Sequence, residues 1–505
     1  MSAQQSASPT VSAMSAMSPG HRQALEWIAA GRKRLLIGGQ WLDAASGQTF
    51  EAANPATEEV LAQVAMGDER DVDAAVAAAR RAFEAPSWSG ISPHARSRYL
   101  HKIADAIEAH AEELAALESL DIGAPLSFTR GQVGAPAERF RYYAGWTSKI
   151  YGTTNASDAE RFIYMVREPM GVCALINAWN FPMVMAASKL APALACGNTM
   201  VLKPAEQSPL TTLRLGELIQ QAGLPDGVVN IVQGYGAVVG AAMAAHPDVD
   251  KIAFTGSTAV GRSIVQASAG NMKKATLELG GKSPNIIFAD ADLDKAVKTA
   301  ALAFCRNSGQ VCSAGTRLLV EESVYDDVVA RVAEAASHFK VGSPFAADTD
   351  LGPLISARQL DRVLSYIEAG RQQGARLVLG GSRVGQRGFF VGPTVFADVT
   401  GDMTIAREEI FGPVLSILRF KDEADAIAQA NDTTYGLAAA VWTRDASRAQ
   451  RVMRAIKSGR VWINTYAEAD PVMAIGGYKQ SGYGREMGAE SIDAYTQTKS
   501  VLMRL

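Results

Sequence analysis

Cys312 stands among small and polar residues, in Gly309-Gln310-Val311-Cys312-Ser313-Ala314-Gly315. Small neighbours let a substrate come close, and flanking glycines let the backbone bend. A thiol so placed reads as a reactive nucleophile, against the commoner fate of a cysteine, which is to fill a core. Cys305, on the apolar pattern Ala301-Phe304-Cys305, is assigned that commoner fate, as are Cys173 and Cys196. One thiol is no site, so partners are sought elsewhere. Glu278 ends an apolar stretch beside Gly280 and Gly281; it is either a strand's exit to solvent or a part-buried base with a raised pKa. Asn180, in Trp179-Asn180-Phe181-Pro182, either caps the helix that Pro182 opens or offers an amide donor to an oxyanion. Gly256-Ser257-Thr258 opens a helix, as a routine cap or as a seat for a pyrophosphate at the positive end of the dipole. Lys203 and Glu206 are a solvated pair or a grip on a ribose.

The elements that must position these residues follow from the hydrophobic pattern. After Gly171, short apolar runs predict strands at 172–176, 199–202, 228–232, 251–254 and 275–279. Helical patterns lie between them at 184–195, 210–222, 237–245 and 258–267. Strands separated by such helices make βαβ units and a parallel sheet, which takes its ligand beyond the C-terminal strand ends. Asn180, Lys203 with Glu206, Gly256-Ser257 and Glu278 each follow one of those ends. The bland alternatives are strong singly and weak jointly. A second alternating region, 285–464, carries Cys312. Upstream, a strand and turn at 35–41 is expected to find its hairpin partner at 49–53. Two helices follow, with Val72, Ala75, Val76, Ala79 and Phe83 on one face of the first and Leu100, Ile103, Ala104 and Ile107 on the second. Gly123-Ala124-Pro125 is read as closing this helical region. A strand at 162–166 belongs to a hairpin outside the main sheet, 494–502 reads as an edge strand, and residues 1–29 as a disordered tail.

Composition excludes several classes. The 505 residues are 48% hydrophobic and 20% charged, with net charge -3, so no basic excess points to nucleic acid. Four cysteines in so long a chain make no disulfide framework and fit a reducing, cytosolic setting. The six histidines never fall near cysteines at metal-ligand spacing, so no metal is expected. No apolar run is long enough to cross a membrane.

Six motifs in order make the chain, from about residue 30 to 505, closely resemble the hydrolytic NAD(P)-dependent aldehyde dehydrogenases. They are Trp179-Asn180-Phe181-Pro182, Phe254-Thr255-Gly256-Ser257-Thr258, Leu277-Glu278-Leu279-Gly280-Gly281-Lys282, Gly309-Gln310-Val311-Cys312, Glu408-Glu409-Ile410-Phe411-Gly412-Pro413 and Gly476-Gly477-Tyr478-Lys479-Gln480-Ser481-Gly482. The resemblance implies an α/β fold. A Rossmann-like parallel-sheet cofactor domain would be built from 30–147 and 170–280, an α/β catalytic domain from 281–481, and a small β oligomerisation arm from 148–169 and 482–505. It implies that Cys312 attacks a small-molecule aldehyde, that Asn180 and the Cys312 N–H hold the oxyanion, and that Glu278 activates the hydrolytic water. Lys189 and Glu486 would relay its proton. Lys203 and Glu206 would hold the adenosine ribose, Gly256 and Ser257 the pyrophosphate, Glu409 the nicotinamide ribose and Phe411 the nicotinamide. Glu206 favours NAD over NADP by repelling a 2′-phosphate. The implied assembly is a homo-oligomer, dimer or tetramer, with no nucleic-acid or membrane partner.

The chain departs from that pattern at several positions. Ala178 stands where relatives usually have Pro, Ala259 where Glu is common, and Ile475 where an aromatic is usual. Ser188 replaces a bulky aromatic, and Ala467 and Ala469 fall in the usual substrate-lining loop. With Met185 and Met473 these positions imply a wide apolar pocket for a bulky aromatic or terpenoid aldehyde, of the phenylacetaldehyde type. No arginine flanks Cys312 closely in sequence, so a carboxylate-bearing aldehyde has no evident anchor. Two rivals remain: a CoA-acylating enzyme, against which Glu278 argues, and a non-catalytic protein on the same fold, against which Cys312, Glu278 and Asn180 together argue.

Overall fold

The computed structural model describes residues 17–505. Residues 1–16 of the expected tail lie outside the described residues. Residues 19–29 correct that expectation: they form the helix Pro19–Ala29, capped by Ser18, opened by Pro19 and burying Ala24 and Ile28 against the helix Ala111–Ile122.

Leu35–Ile37 (β1) and Gln40–Leu42 (β2) form a hairpin of their own. Gly38 and Gly39 are both at positive φ, the two-residue turn that matches strand twist. The 49–53 segment is therefore not their partner. As Thr49–Ala53 (β3) it pairs with Val60–Ala65 (β4). Gly123, left-handed at φ 76, ends one helix, but the helical region continues through Leu126–Gln132 and Gly134–Ala144. Pro125 starts that continuation, since proline is tolerated where a helix begins.

The remaining strands run Thr153–Asn155 (β5), Arg161–Pro169 (β6), Val172–Ile176 (β7), Thr199–Lys203 (β8), Val229–Ile231 (β9), Lys251–Thr255 (β10) and Lys274–Glu278 (β11). Then come Pro284–Ile287 (β12), Arg317–Glu321 (β13), Arg376–Leu379 (β14), Thr394–Ala397 (β15), Val414–Phe420 (β16), Ala438–Trp442 (β17), Arg460–Ile463 (β18), Gly482–Tyr483 (β19) and Thr496–Arg504 (β20). The first sheet has the order β19-β11-β10-β7-β8-β9-β1-β2, with a parallel core from β11 to β9. The second has the order β14-β15-β16-β13-β12-β17-β18 and is parallel but for β14. Strands β7, β8 and β10 are buried along their whole length because helices cover both faces of the sheet. The third sheet, β20-β6-β5, stands apart from both, as expected for 162–166 and 494–502. One boundary shifts: β19 joins the first sheet, and Ile492 and Tyr495 join the apolar core beside it, so only 496–504 of the C-terminal stretch pairs in the third sheet.

Parallel register brings the functional strand ends level. Thr255 pairs with Glu278, Phe254 with Ile176, and Ile176 with Lys203. The second sheet meets this edge from the opposite direction. Gly280-Gly281 precedes β12, Cys312 precedes β13, and Glu409 and Phe411 precede β16, so it contributes the loops entering its strands.

Candidate active site

Between the two sheets lies a cleft of about 420 Å³ lined by Asn180, Met185, Gly256, Ser257, Glu278, Cys312, Glu409 and Phe411, with Trp179, Thr255 and Arg362 among its other walls. Side chains far apart in sequence thus converge on one space.

Cys312 is presented by an unusual turn. Asn307, Ser308 and Gly309 are left-handed in succession, at φ 48, 53 and 73. Such backbone costs about 1–2 kcal/mol at each non-glycine residue and persists only where its surroundings hold it. Ser308 Oγ donates to Gly352 O at 2.7 Å, and Asn307 Nδ2 donates to Asn180 O at 3.0 Å. A Cβ on Gly309 would overlap the Gly412 backbone. The turn is tied to the Asn180 loop in both directions, because Asn180 Nδ2 donates to Gln310 O at 2.8 Å. The Cys312 thiol is half-buried. Burial first, then the Glu409 and Glu278 carboxylates, push it up to about 12, while the Ser313 N–H and Arg460 act against them.

Glu278 is buried at the end of β11, and its Oε1 has no hydrogen-bond partner. Burial and the neighbouring Glu486 charge hold its carboxyl well above the usual range, with Lys189, Arg485 and Arg460 pulling the other way. Lys189 and Glu486 lie behind it, outside the cleft lining. Lys189 Nζ donates to Thr255 Oγ1 at 2.6 Å and sits 2.9 Å from Glu486 Oε1. Ser257 caps the helix Thr258–Ser268, and Gly256 packs where a Cβ would strike the Phe254 ring. Glu409 accepts from the Gly281 N–H at 3.0 Å, and burial pushes its carboxyl up to about 7. A Cβ on Gly280 would collide with Glu409 Oε2, so the glycine pair clears the room this carboxylate fills. Phe411 meets Trp179 edge-on, ring centroids 5.1 Å apart.

Other expected residues lie outside the lining. Lys203 and Glu206 pair at 3.2 Å, with Lys203 buried beneath the turn at 236–240. Ser188 corrects its expectation as a pocket residue: it is buried, its Oγ donating to Val184 O at 2.8 Å. Ala469 is exposed, and Ile475 bridges the Glu486 backbone. Of that proposed apolar set only Met185 faces the cleft. No arginine flanks Cys312 closely in sequence, but the fold supplies one. Arg460, at the start of β18, acts electrostatically on both Cys312 and Glu278. Only the fold brings it there. The Asn307-Ser308-Gly309 turn carried a signal, since asparagine and glycine tolerate left-handed backbone.

A sequence profile described as the aldehyde dehydrogenase family matches residues 41–501. The chain belongs to the aldehyde dehydrogenase family. An aldehyde dehydrogenase of Aspergillus niger is 49% identical over 472 residues, which is 93% of this chain and 95% of the relative. Among solved members of the family, an NAD+ complex of the Bacillus cereus aldehyde dehydrogenase superposes with TM-score 0.95 at 46% identity, covering 97% of this chain and 99% of that one. An indole-3-acetaldehyde dehydrogenase with NAD+ gives 0.94 at 44% identity, over 96% of this chain and 99% of that one.

Proposed function

We propose that this member of the family oxidises an aldehyde to the carboxylic acid by a hydrolytic route, with NAD as electron acceptor. The observation that carries the reading is Glu278 Oε1, unpartnered in the cleft that also holds Cys312 and Asn180. The cleft suits NAD on two counts: a helix N-terminus at Ser257 for a pyrophosphate, and the buried Glu409 carboxylate in its glycine cradle for a ribose hydroxyl pair. Glu206, beside Lys203, would accept from adenosine ribose hydroxyls and disfavour a 2′-phosphate, leaving NADP the weaker cofactor. Phe411 would flank the nicotinamide. NAD, held by Ser257, Glu409, Lys203 and Glu206, would supply the two-electron acceptor for oxidation at the carbon bonded to Cys312.

The chain's own residues do the rest. The Cys312 thiolate bonds to the aldehyde carbon. The second Asn180 amide proton and the Cys312 N–H stabilise the oxyanion that forms, usually the largest single catalytic contribution. Glu278 then takes a proton from water as its oxygen bonds to the thioester carbon and the C–S bond breaks. Lys189 and Glu486, paired behind Glu278, would relay that proton. Met185 in the lining, and the indole-3-acetaldehyde named for one relative, support a bulky aromatic or terpenoid aldehyde. We assign cofactor binding to 30–147 and 170–280, catalysis to 281–481, and assembly as a dimer or tetramer to the third sheet. An aldehyde panel followed by NADH absorbance, with and without CoA, tests the reading. Phenylacetaldehyde should exceed acetaldehyde in kcat/KM, the acid should form without CoA, and Cys312→Ala should abolish the signal; acetaldehyde preferred, or acid formed only as a CoA ester, refutes it.

A further inference from the structure

A polar seam runs along one face of the first sheet, from the cleft at the C-terminal strand ends to a second cavity at the opposite ends. Along one face of β10 and β11 lie Lys251, Thr255, Thr276 and Glu278, all buried although the sheet around them is apolar. Two residues of one strand lie on the same face about 7 Å apart. Glu278 and Thr255 line the active-site cleft, whereas Thr276 and Lys251 line a separate cavity of about 580 Å³. Lys251 Nζ donates to Thr276 Oγ1 at 2.7 Å and sits 5.0 Å over the Tyr495 ring. Over the seam lie Lys189 and Glu486. Glu278 Oε1 and Tyr495 OH, both buried, have no protein partner. Buried polar atoms of this kind are satisfied by bridging water.

The hydrolytic step loads a proton on Glu278 at every turnover, and the cleft that holds it is then filled by product and cofactor. We propose that this proton leaves along the face of the sheet: Lys251 first releases one ammonium proton to the far cavity, its neutral amine then takes the Thr276 hydroxyl proton, and Thr276 is reprotonated from Glu278 by way of Glu486 and bridging water. No bond to carbon changes in this transfer; the carboxylate of Glu278 is restored and one proton reaches solvent. The inference rests on the hydrolytic reading above. The charged and titratable groups facing Lys251 are Glu486, Lys189, Lys274, Cys173 and Tyr495, with Tyr483, Arg485, Glu490 and Asp493 around the cavity it opens on; burial holds its ammonium down to about 8, so it exchanges protons near neutrality. Lys251 acts through Glu278 and does not touch substrate.

The test follows the acyl adduct on Cys312 by rapid quench and intact-protein mass spectrometry after mixing enzyme, NAD+ and aldehyde. In Lys251→Met the adduct should form at the wild-type rate and decay at least about tenfold more slowly at pH 7, the order expected for losing one proton-transfer group. In Lys251→Ala, ethylamine, small enough for the cavity, should restore decay in proportion to its concentration. Thr276→Val should slow decay in the same direction, and serves if the lysine variants fail to fold. Unchanged decay and pH profile in all three, or slowing that ethylamine does not relieve, overturns the proposal while wild-type hydrolysis stands. Absence of any acyl adduct in wild type overturns the hydrolytic reading itself.

Discussion

Asn180 commits one amide proton to the Gln310 carbonyl and leaves the other for the cleft. Asn180→Ala should therefore lower kcat by about 10²–10³, the usual loss for one oxyanion donor. Because the same side chain steadies the turn before Cys312, the alkylation rate of the thiol by iodoacetamide is the control: it should stay within a few-fold while kcat falls. In the free enzyme that alkylation should climb steeply as pH rises through neutrality and beyond, since burial and two carboxylates push the thiol up to about 12 and thiolate is the reacting form. A flat profile would mean that the resting thiol is already ionised. Glu278 makes the opposite side of the case. Its carboxyl is held above the usual range, so the base form grows as pH rises above the ordinary value of 4.5, and acyl-enzyme decay should grow with it. Glu278→Gln should leave adduct formation intact, flatten that profile and accumulate the thioester, read by quenched mass spectrometry. At this scale the convergence of Cys312, Glu278 and Asn180 on one cleft was legible because each sits in a short motif. Arg460 was not, because its effect on Cys312 exists only once β18 is laid beside β17.

The helix Ala111–Ile122 shows what local pattern hides. It buries Glu113, Glu118 and Asp121, an arrangement that periodicity alone would count against a helix in the core. Tertiary partners decide it. Asp121 Oδ2 accepts from the Leu210 N–H at 2.8 Å, capping the helix Leu210–Gln221. Glu113 takes both a 2.7 Å and a 3.1 Å bond from Arg214. Glu118 faces the Met183 N–H in the first turn of the helix that carries Lys189, and burial pushes its carboxyl up to about 8. A carboxyl whose folded pKa is raised contributes stability that is fully present below about 4.5 and lost as pH rises through about 8, worth at most roughly a few kcal/mol. Glu118→Gln should remove that loss: the fall in Tm between pH 5 and pH 9 should shrink relative to wild type, and an equal fall would show the slope arises elsewhere. The same limit explains other misreadings. The parallel strands were legible because burial on both faces demands continuous apolar runs. The β1–β2 hairpin was not, because its partner was chosen by two glycines in left-handed backbone rather than by apolar pattern. Nor could alternation tell that the second sheet would face the cleft with the entrances to its strands.

Among the described residues, the third sheet presents a large exposed apolar surface. Strand β20 pairs with β6 over its full length, from Thr496 opposite Pro169 to Arg504 opposite Arg161, and β5 closes the other side of β6. Three strands are the smallest sheet that an apolar face can stabilise. This one exposes large apolar side chains: Leu502 at 59%, Met503 at 47%, Leu505 at 73%, Tyr151 at 73% and Phe162 at 38%. Large apolar side chains exposed on both faces and at the ends of so small a sheet suit an interaction surface. Met503 lies opposite Phe162 and Leu502 opposite Ile163, so charge placed at 162 and 502 meets any partner packed on the sheet without entering the core or the cleft. If the proposed dimer or tetramer forms through this sheet, the double variant Phe162→Glu, Leu502→Glu is expected to be monomeric by light scattering at micromolar concentration where the wild type is not. The cleft is built within one chain, so the variant should still form the acyl adduct on Cys312. An unchanged mass would place the contact elsewhere, and loss of the adduct together with assembly would mean that neighbouring subunits hold the two sheets in register.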